Sequence, residues 1–144
     1  MKLSENFTLE EMIVSEIADR KGLDNTPNAT ELANLMRTAA LLEQLRTVIK
    51  KPIKVNSAFR SKAVNDAVGS KDTSQHRIGC AADIKVNGMS PKEVVQACID
   101  ANLPYDQVIE EFNSWTHISV ADSPKRPPRR QALTIDNAGT RPFK

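Results

Sequence analysis

The chain has 144 residues, of which 40% are hydrophobic, and its formal net charge is +2. This length suffices for one domain with a buried core, and the hydrophobic fraction excludes an intrinsically disordered chain. No apolar run approaches the ~20 residues of a membrane-spanning helix, and residues 1–6 lack the apolar segment of a secretory signal. We therefore expect a protein that is made in a cytoplasm and has no membrane span.

Helix signals dominate the first part of the chain. Thr8 and Glu11 form a capping box, which predicts a helix that runs to about Lys21 and ends at Gly22. A second capped helix is predicted over residues 28–50, where apolar residues recur at helical spacing. This long helix is expected to support a sheet.

Strand signals follow. Residues 53–57 and 80–86 are predicted strands, a helix begins at Ser90, and residues 107–112 and 115–120 are predicted to form an antiparallel pair joined by a short turn. Helices before and between strands, with a hairpin near the end, predict an α+β fold with a mainly antiparallel sheet packed by helices.

The C-terminal segment differs from the rest in charge and in proline content. Residues 122–144 contain six basic and two acidic residues, and Pro124, Pro127 and Pro128 argue against regular structure from Ser123 onward. We therefore predict a domain at residues 1–121 and a basic tail at residues 122–144 that packs on it or trails from it. Such a tail could contact an anionic polymer, or it could simply be solvated.

The two cysteines, Cys80 and Cys98, both fall on predicted apolar faces. Reduced, buried thiols are therefore expected rather than a disulfide or metal ligands.

Both histidines of the chain occur in segments that could place them near one aspartate. In a strand over residues 80–86, Asp83 lies on the face opposite Ile84, and in the following hairpin His117 also lies on a polar face. His76 precedes this strand in a loop. Two imidazoles and one carboxylate suit a single Zn²⁺ ion, and three protein ligands leave a fourth position for water, as in catalytic sites. The alternative is that each histidine is an ordinary side chain with no ligand.

The same segments resemble a known family. The pattern Ser74-x-His76-x-x-Gly-x-Ala-x-Asp83, followed by Trp115-x-His117-x-Ser119, resembles the zinc D-Ala-D-Ala carboxypeptidase and endopeptidase family, which includes phage endolysins. The resemblance extends from about residue 7 to residue 120. It implies the fold shared by zinc DD-peptidases and hedgehog signalling domains, and peptidoglycan as the partner.

The general base is the point at which the sequence departs from this family. Many relatives carry a carboxylate three residues before the last zinc ligand, and here that position is Ser114. Glu110 and Glu111 are the nearby alternatives, and Glu111 is preferred because the following turn could bring it near His117. Arg60 lies in a segment that resembles a family motif and is predicted to bind a substrate carboxylate or to stabilise the oxyanion.

Three further residues are assigned supporting roles. Ser74 and Ser119 are predicted to orient the zinc ligands. Trp115 either walls the pocket or packs under the hairpin.

The resulting prediction is a zinc-dependent peptidase, carboxypeptidase or endopeptidase, that cuts a stem-peptide bond involving a D-amino acid. It is expected to be a monomeric phage or prophage endolysin that stays in the host cytoplasm until its release to the cell wall. One alternative is a zinc-binding structural or virion module that has lost its base, which Ser114 favours. The other is a nucleic-acid binder, which the aromatic content of 4% and the lack of a charged stripe in the folded region disfavour.

Overall fold

The computed structural model describes residues 1–144 and has the predicted α+β architecture. The helices are α1 (Leu9–Ile13), α2 (Glu16–Lys21), α3 (Ala29–Ile49), α4 (Lys62–Ala67), a 3₁₀-helix (Gln75–Ile78) and α5 (Pro91–Asp100). The strands are β1 (Lys54–Ser57), β2 (Ala81–Lys85), β3 (Gln107–Glu111), β4 (Trp115–Ser119), β5 (Gln131–Asp136) and β6 (Gly139–Pro142). They form one sheet in the order β1-β2-β4-β3-β5-β6, in which only β3 and β5 pair in parallel.

The hydrophobic core lies between one face of the sheet and the helices α3 and α5. Alternate residues of the central strands, among them Ile84 and Ile118, are fully buried there against Leu35, Leu42 and Val95 of the two helices. This alternation confirms the predicted faces of β2 and β4. The opposite face of these two strands is consequently free to carry polar side chains.

The prediction of a single helix between residues 8 and 21 is wrong. Val14 is extended, and Ser15 caps a separate helix, α2. Contacts with distant parts of the chain explain why the helix is interrupted there. Carbonyl oxygens at the end of α1 accept hydrogen bonds from the backbone of Phe59 at 2.9 Å and from the side chain of Asn25 at 2.8 Å. These bonds satisfy the carbonyl groups that would otherwise continue the helix.

The predicted lack of regular structure after Ser123 is also wrong. Pro124, Pro127 and Pro128 are confined to the connection before β5, and residues 131–135 of β5 pair in parallel with the whole of β3. β6 then returns as an antiparallel edge strand. β5 satisfies backbone groups of β3 that would otherwise form an open edge. The division of the chain into residues 1–121 and 122–144 stays a prediction.

Cys80 and Cys98 are free and fully buried, as predicted. Burial raises the pKa of Cys80 to about 11 and that of Cys98 to about 12. Both are therefore neutral thiols at physiological pH. None of the helices combines the length and the apolar character that crossing a membrane requires.

Candidate metal and active site

Two central strands place Asp83 and His117 side by side. β2 and β4 pair antiparallel, and in this register Asp83 lies directly opposite His117. Their neighbours Ala82 and Ile118 point into the core. Asp83 and His117 therefore project together from the face that the helices leave uncovered.

His76 reaches the same place from the 3₁₀-helix that precedes β2. Ser74 caps this short helix, since its hydroxyl accepts a hydrogen bond from the backbone N–H of His76 at 3.3 Å. Gly79 ends it with a φ of +84°, and the Gly79 carbonyl accepts a hydrogen bond from Thr38 of α3 at 2.8 Å. The backbone N–H of Arg60 also donates to the carbonyl of His76 at 3.0 Å. The segment predicted as a loop is thus a short helix that is fixed from both sides.

The three side chains converge. Oδ1 of Asp83 lies 3.3 Å from Nε2 of His76 and 3.3 Å from Nδ1 of His117, and one potential ligand atom from each residue lies within 4.8 Å of the others. Both histidines are buried. Zinc with ligands at about 2.0–2.2 Å in a tetrahedron has ligand-to-ligand separations of about 3.4 Å. The donor set of two nitrogens and one oxygen therefore fits zinc in both chemistry and spacing.

The second nitrogen of each imidazole has its own partner. Nδ1 of His76 lies 2.6 Å from the carbonyl oxygen of Ala58, which can only accept, so Nδ1 carries a proton and Nε2 is the nitrogen that can bind a metal ion. Nε2 of His117 lies 3.2 Å from Oε1 of Gln75. Partners of this kind orient metal-binding histidines.

Asp83 is prepared to bind a cation. Burial alone would raise the pKa of its carboxyl group, but the hydrogen bonds and charges of His117 and His76 outweigh burial and hold the pKa well below its usual range. The group is therefore a carboxylate at neutral pH. Its second oxygen lies 3.8 Å from the guanidinium of Arg60, which places Arg60 at the edge of the cluster.

The two candidate bases lie on opposite faces of β3. Ile109 pairs with His117 and Glu111 with Trp115, so the half-buried Glu111 lies on the face that carries the cluster. Burial, and then the negative charge of Asp83, raises the pKa of Glu111. Glu110 lies on the other face, 3% exposed, and its Oε2 has no hydrogen-bond partner.

The remaining predicted residues are distributed around the hairpin. Ser114 is exposed in the turn, and its hydroxyl donates to the Phe112 carbonyl at 3.2 Å. The hydroxyl of Ser119 accepts from the backbone N–H of Gln107 at 3.0 Å, so it joins β4 to β3 and does not contact a ligand side chain. Trp115 lies on the same face of β4 as His117, with an indole N–H that is buried and has no partner.

The sequence did not indicate the partners of His117 beyond the cluster. The Gln75 side chain donates to Oδ2 of Asp106 at 2.9 Å, and Arg129 donates to the same oxygen at 2.7 Å. Burial would raise the pKa of Asp106, but hydrogen bonds from Arg129 and Gln75 keep it below its usual value. The available signals were the position of Gln75 directly before His76 and the presence of Asp106 in a segment that resembles the peptidase family.

Comparison with known protein families gives one match, in which a family described as Peptidase M15 covers residues 5–119. This range contains all three residues of the cluster, together with Arg60 and Glu111. It ends before the connection that carries Arg129 and before β5. No curated protein matches the chain.

Proposed function

Since the chain belongs to the peptidase M15 family of zinc metallopeptidases, we propose that it hydrolyses a peptide bond in the stem peptides of peptidoglycan. The observation that carries this proposal is the cluster of His76, Asp83 and His117, whose ligand atoms have the spacing that zinc requires. Arg60 and Glu111 lie beside it, so the groups that peptide hydrolysis needs are gathered on one face of the sheet.

We assign zinc binding to His76, Asp83 and His117. When bound there, one zinc ion supplies an activated water, with a pKa of about 7, and a polarised scissile carbonyl. Hydrolysis also needs a group that takes the proton of the water and delivers a proton to the leaving amine. Glu111 suits this role because its raised pKa brings it closer to neutrality than an ordinary glutamate.

Arg60 supplies the positive charge of the site. Its guanidinium lies 3.8 Å from the Asp83 carboxylate and is partly exposed, so it can reach a ligand in front of the cluster. A guanidinium binds a substrate carboxylate through two parallel hydrogen bonds or stabilises a tetrahedral oxyanion. Both tasks belong to the cleavage of a peptide that carries a free carboxylate, such as a peptidoglycan stem.

The finer proposal is a phage or prophage endolysin, made in a host cytoplasm and active as a monomer on a bond that involves a D-amino acid. The resemblance of the motifs around His76 and His117 to endolysin-containing peptidases supports it. The candidate bonds are L-Ala-D-Glu, D-Ala-D-Ala and a cross-bridge.

The decisive experiment is mass spectrometry of purified peptidoglycan after incubation with the zinc-loaded protein. We expect new stem-peptide fragments that identify the bond, that disappear after treatment with a chelator and that return when zinc is added. The variant Asp83→Asn is the matched control, since it keeps the shape of the side chain but loses the charge that binds the ion. Intact peptidoglycan after incubation with folded, zinc-loaded protein would refute the proposed activity.

A second candidate is a zinc-binding module without catalysis. The exposed hydroxyl of Ser114, at the position where many relatives carry a carboxylate, favours it. Tight zinc binding without cleavage of any stem peptide would support this alternative.

A further inference from the structure

A half-buried glutamine connects the imidazole of His117 to a buried aspartate. Oε1 of Gln75 lies 3.2 Å from Nε2 of His117, and Nε2 of Gln75 lies 2.9 Å from Oδ2 of Asp106. Asp106 is fully buried, and neither of these contacts involves the nitrogen of His117 that faces Asp83. The connection therefore reaches the cluster from behind His117.

Hydrogen-bonding chemistry fixes the direction of every bond in this connection. A carboxylate can only accept, so the amide NH₂ of Gln75 must face Asp106, and its oxygen must face His117. Gln75 can therefore pair with His117 only when Nε2 of His117 carries a proton, because an amide oxygen cannot donate. This bond favours the tautomer of neutral His117 that is protonated on Nε2 and keeps the lone pair of Nδ1 for a metal ion, whereas a hydrogen bond to Asp83, 3.3 Å from Nδ1, favours the opposite tautomer.

Arg129 keeps the Asp106 carboxylate in place. Its side chain donates to Oδ2 at 2.7 Å and from Nε at 3.1 Å, and its backbone N–H donates to Oδ1 at 2.9 Å. Asp106 is itself tied to the sheet, since its backbone N–H donates to Ser119 at 2.8 Å and its carbonyl accepts from Gln131 at 3.0 Å. Without the guanidinium, the carboxylate would be buried with only the more weakly placed Arg126, 3.6 Å away, as a cation.

We propose that Arg129 is a positioning residue of the metal site, which acts through Asp106 and Gln75 to hold His117 in the tautomer that can bind zinc. Arg129 lies beyond the range matched by the peptidase family, so the C-terminal segment completes a site whose ligands all lie within that range. The inference rests on the proposed function only in naming zinc as the ion.

The first test is the zinc dissociation constant, measured by competition with a chromogenic chelator. Loss of a partner behind a metal-binding histidine weakens metal binding by about 10- to 100-fold. We expect a loss of this size for Arg129→Ala and for Gln75→Leu. Arg141→Ala is the matched control, because Arg141 also pairs with an aspartate, Asp136, in the same segment but has no contact with Gln75 or His117. It should bind zinc like the wild type.

The second test determines which ring nitrogen of His117 carries the proton. Two-bond ¹H–¹⁵N correlation spectra of the metal-free protein distinguish a protonated ring nitrogen from one with a lone pair. At a pH where His117 is neutral, we expect the tautomer protonated on Nε2 to be the larger fraction in the wild type and in Arg141→Ala. The tautomer protonated on Nδ1, which donates to Asp83, should gain population in Gln75→Leu and in Arg129→Ala.

Both readouts have an outcome that overturns the proposal. A wild-type His117 protonated on Nδ1, or an Arg129→Ala variant with unchanged zinc affinity and unchanged ring nitrogens, would show that Arg129 has only a structural role. If Arg129→Ala does not fold, Gln75→Leu decides the question, since it leaves the pair of Arg129 and Asp106 in place. A wild type that binds no zinc would refute the proposed function, while the ring nitrogens would still decide the positioning.

Discussion

Two adjacent glutamates of β3 differ in their distance from the candidate site because they lie on opposite faces of the strand. Glu110 and Glu111 carry the same charge at adjacent positions, and the sequence alone gives a preference for Glu111 only through the turn that follows it. The alternation of β3 separates them, since Glu111 lies on the face of the cluster and Glu110 is buried on the other face. In Glu111, a raised pKa therefore coincides with a position on the face of the cluster.

The variant Glu111→Gln is expected to lower kcat by at least about 100-fold, because an amide cannot accept and return the proton of the attacking water. Zinc affinity should be unchanged, since Glu111 is not one of the three clustered ligands. Stem-peptide turnover and chelator competition measure the two quantities.

Glu110→Gln is the matched control for this experiment. The amide oxygen can still accept the hydrogen bond that Oε1 takes from the backbone of Asn113, so turnover should stay close to that of the wild type. Turnover near the wild-type level in Glu111→Gln would remove Glu111 from the role of general base.

The clustering of the three candidate ligands could be predicted from the sequence, whereas their supporting partners could not. His76, Asp83 and His117 occur in short motifs, and strand alternation is a local property that predicts their faces. The partners Gln75, Asp106 and Arg129 come from separate segments. Only the folded chain shows which oxygen or nitrogen each of them presents.

At the level of elements, the junction between the 3₁₀-helix and β2 controls the site. Gly79 lies in this junction between His76 and Asp83, with its φ at +84°. A Cβ atom at this position would lie 2.7 Å from the Glu31 carbonyl oxygen of α3. The close approach to α3 therefore requires glycine for two reasons, backbone conformation and space.

Gly79→Ala is expected to destabilise the protein by about 3 kcal/mol or more, since left-handed strain and overpacking each cost about 1–3 kcal/mol. Zinc affinity should fall as well, because relief of the clash moves His76 relative to Asp83. Chemical denaturation and chelator competition report these effects.

Gly69→Ala provides the comparison. Gly69 also has a positive φ, +73°, but no atom lies within 4 Å of a Cβ built there. Gly69→Ala should lower the free energy of unfolding by only the ~1–2 kcal/mol that a left-handed backbone conformation costs a non-glycine residue, and it should leave zinc affinity unchanged. Equal losses of stability in the two variants would show that contact with α3 is unimportant.

Element boundaries were predictable where local signals act alone. The capping box of Asn28 and Glu31 begins α3 as expected, and the hairpin of β3 and β4 was also foreseen. The break at Val14 and the strands β5 and β6 were missed, because both depend on distant partners: Asn25 and Phe59 in the first case and β3 in the second.

At the scale of the whole molecule, the C-terminal segment is part of the sheet and part of the site support. β5 covers β3 along the length of β3, and Arg129 lies two residues before β5. Several of the basic residues in this segment pair with carboxylates of the same chain, among them Arg126 and Arg129 with Asp106. Less of its positive charge is therefore available to an anionic polymer than its composition suggests.

Ending the chain at residue 121 is expected to lower the thermal midpoint by at least about 5 °C and to promote aggregation, since β3 becomes an open edge. A chain that ends at residue 136 keeps β5 and Arg129 and should unfold close to the full-length protein. Differential scanning fluorimetry and light scattering compare the three chains. A chain ending at residue 121 that is as stable as the full-length protein would support the predicted division into a domain at residues 1–121 and a tail at residues 122–144.

The two buried thiols can report how the core of this molecule opens. Cys80 directly precedes β2 and Cys98 lies in α5, so one thiol is attached to the sheet layer and the other to the helix layer of the same core. Neither can react with an alkylating reagent until its layer opens and the thiolate forms. The alkylation rates of the two cysteines, resolved by peptide mapping, would therefore show whether the two layers separate together or one before the other.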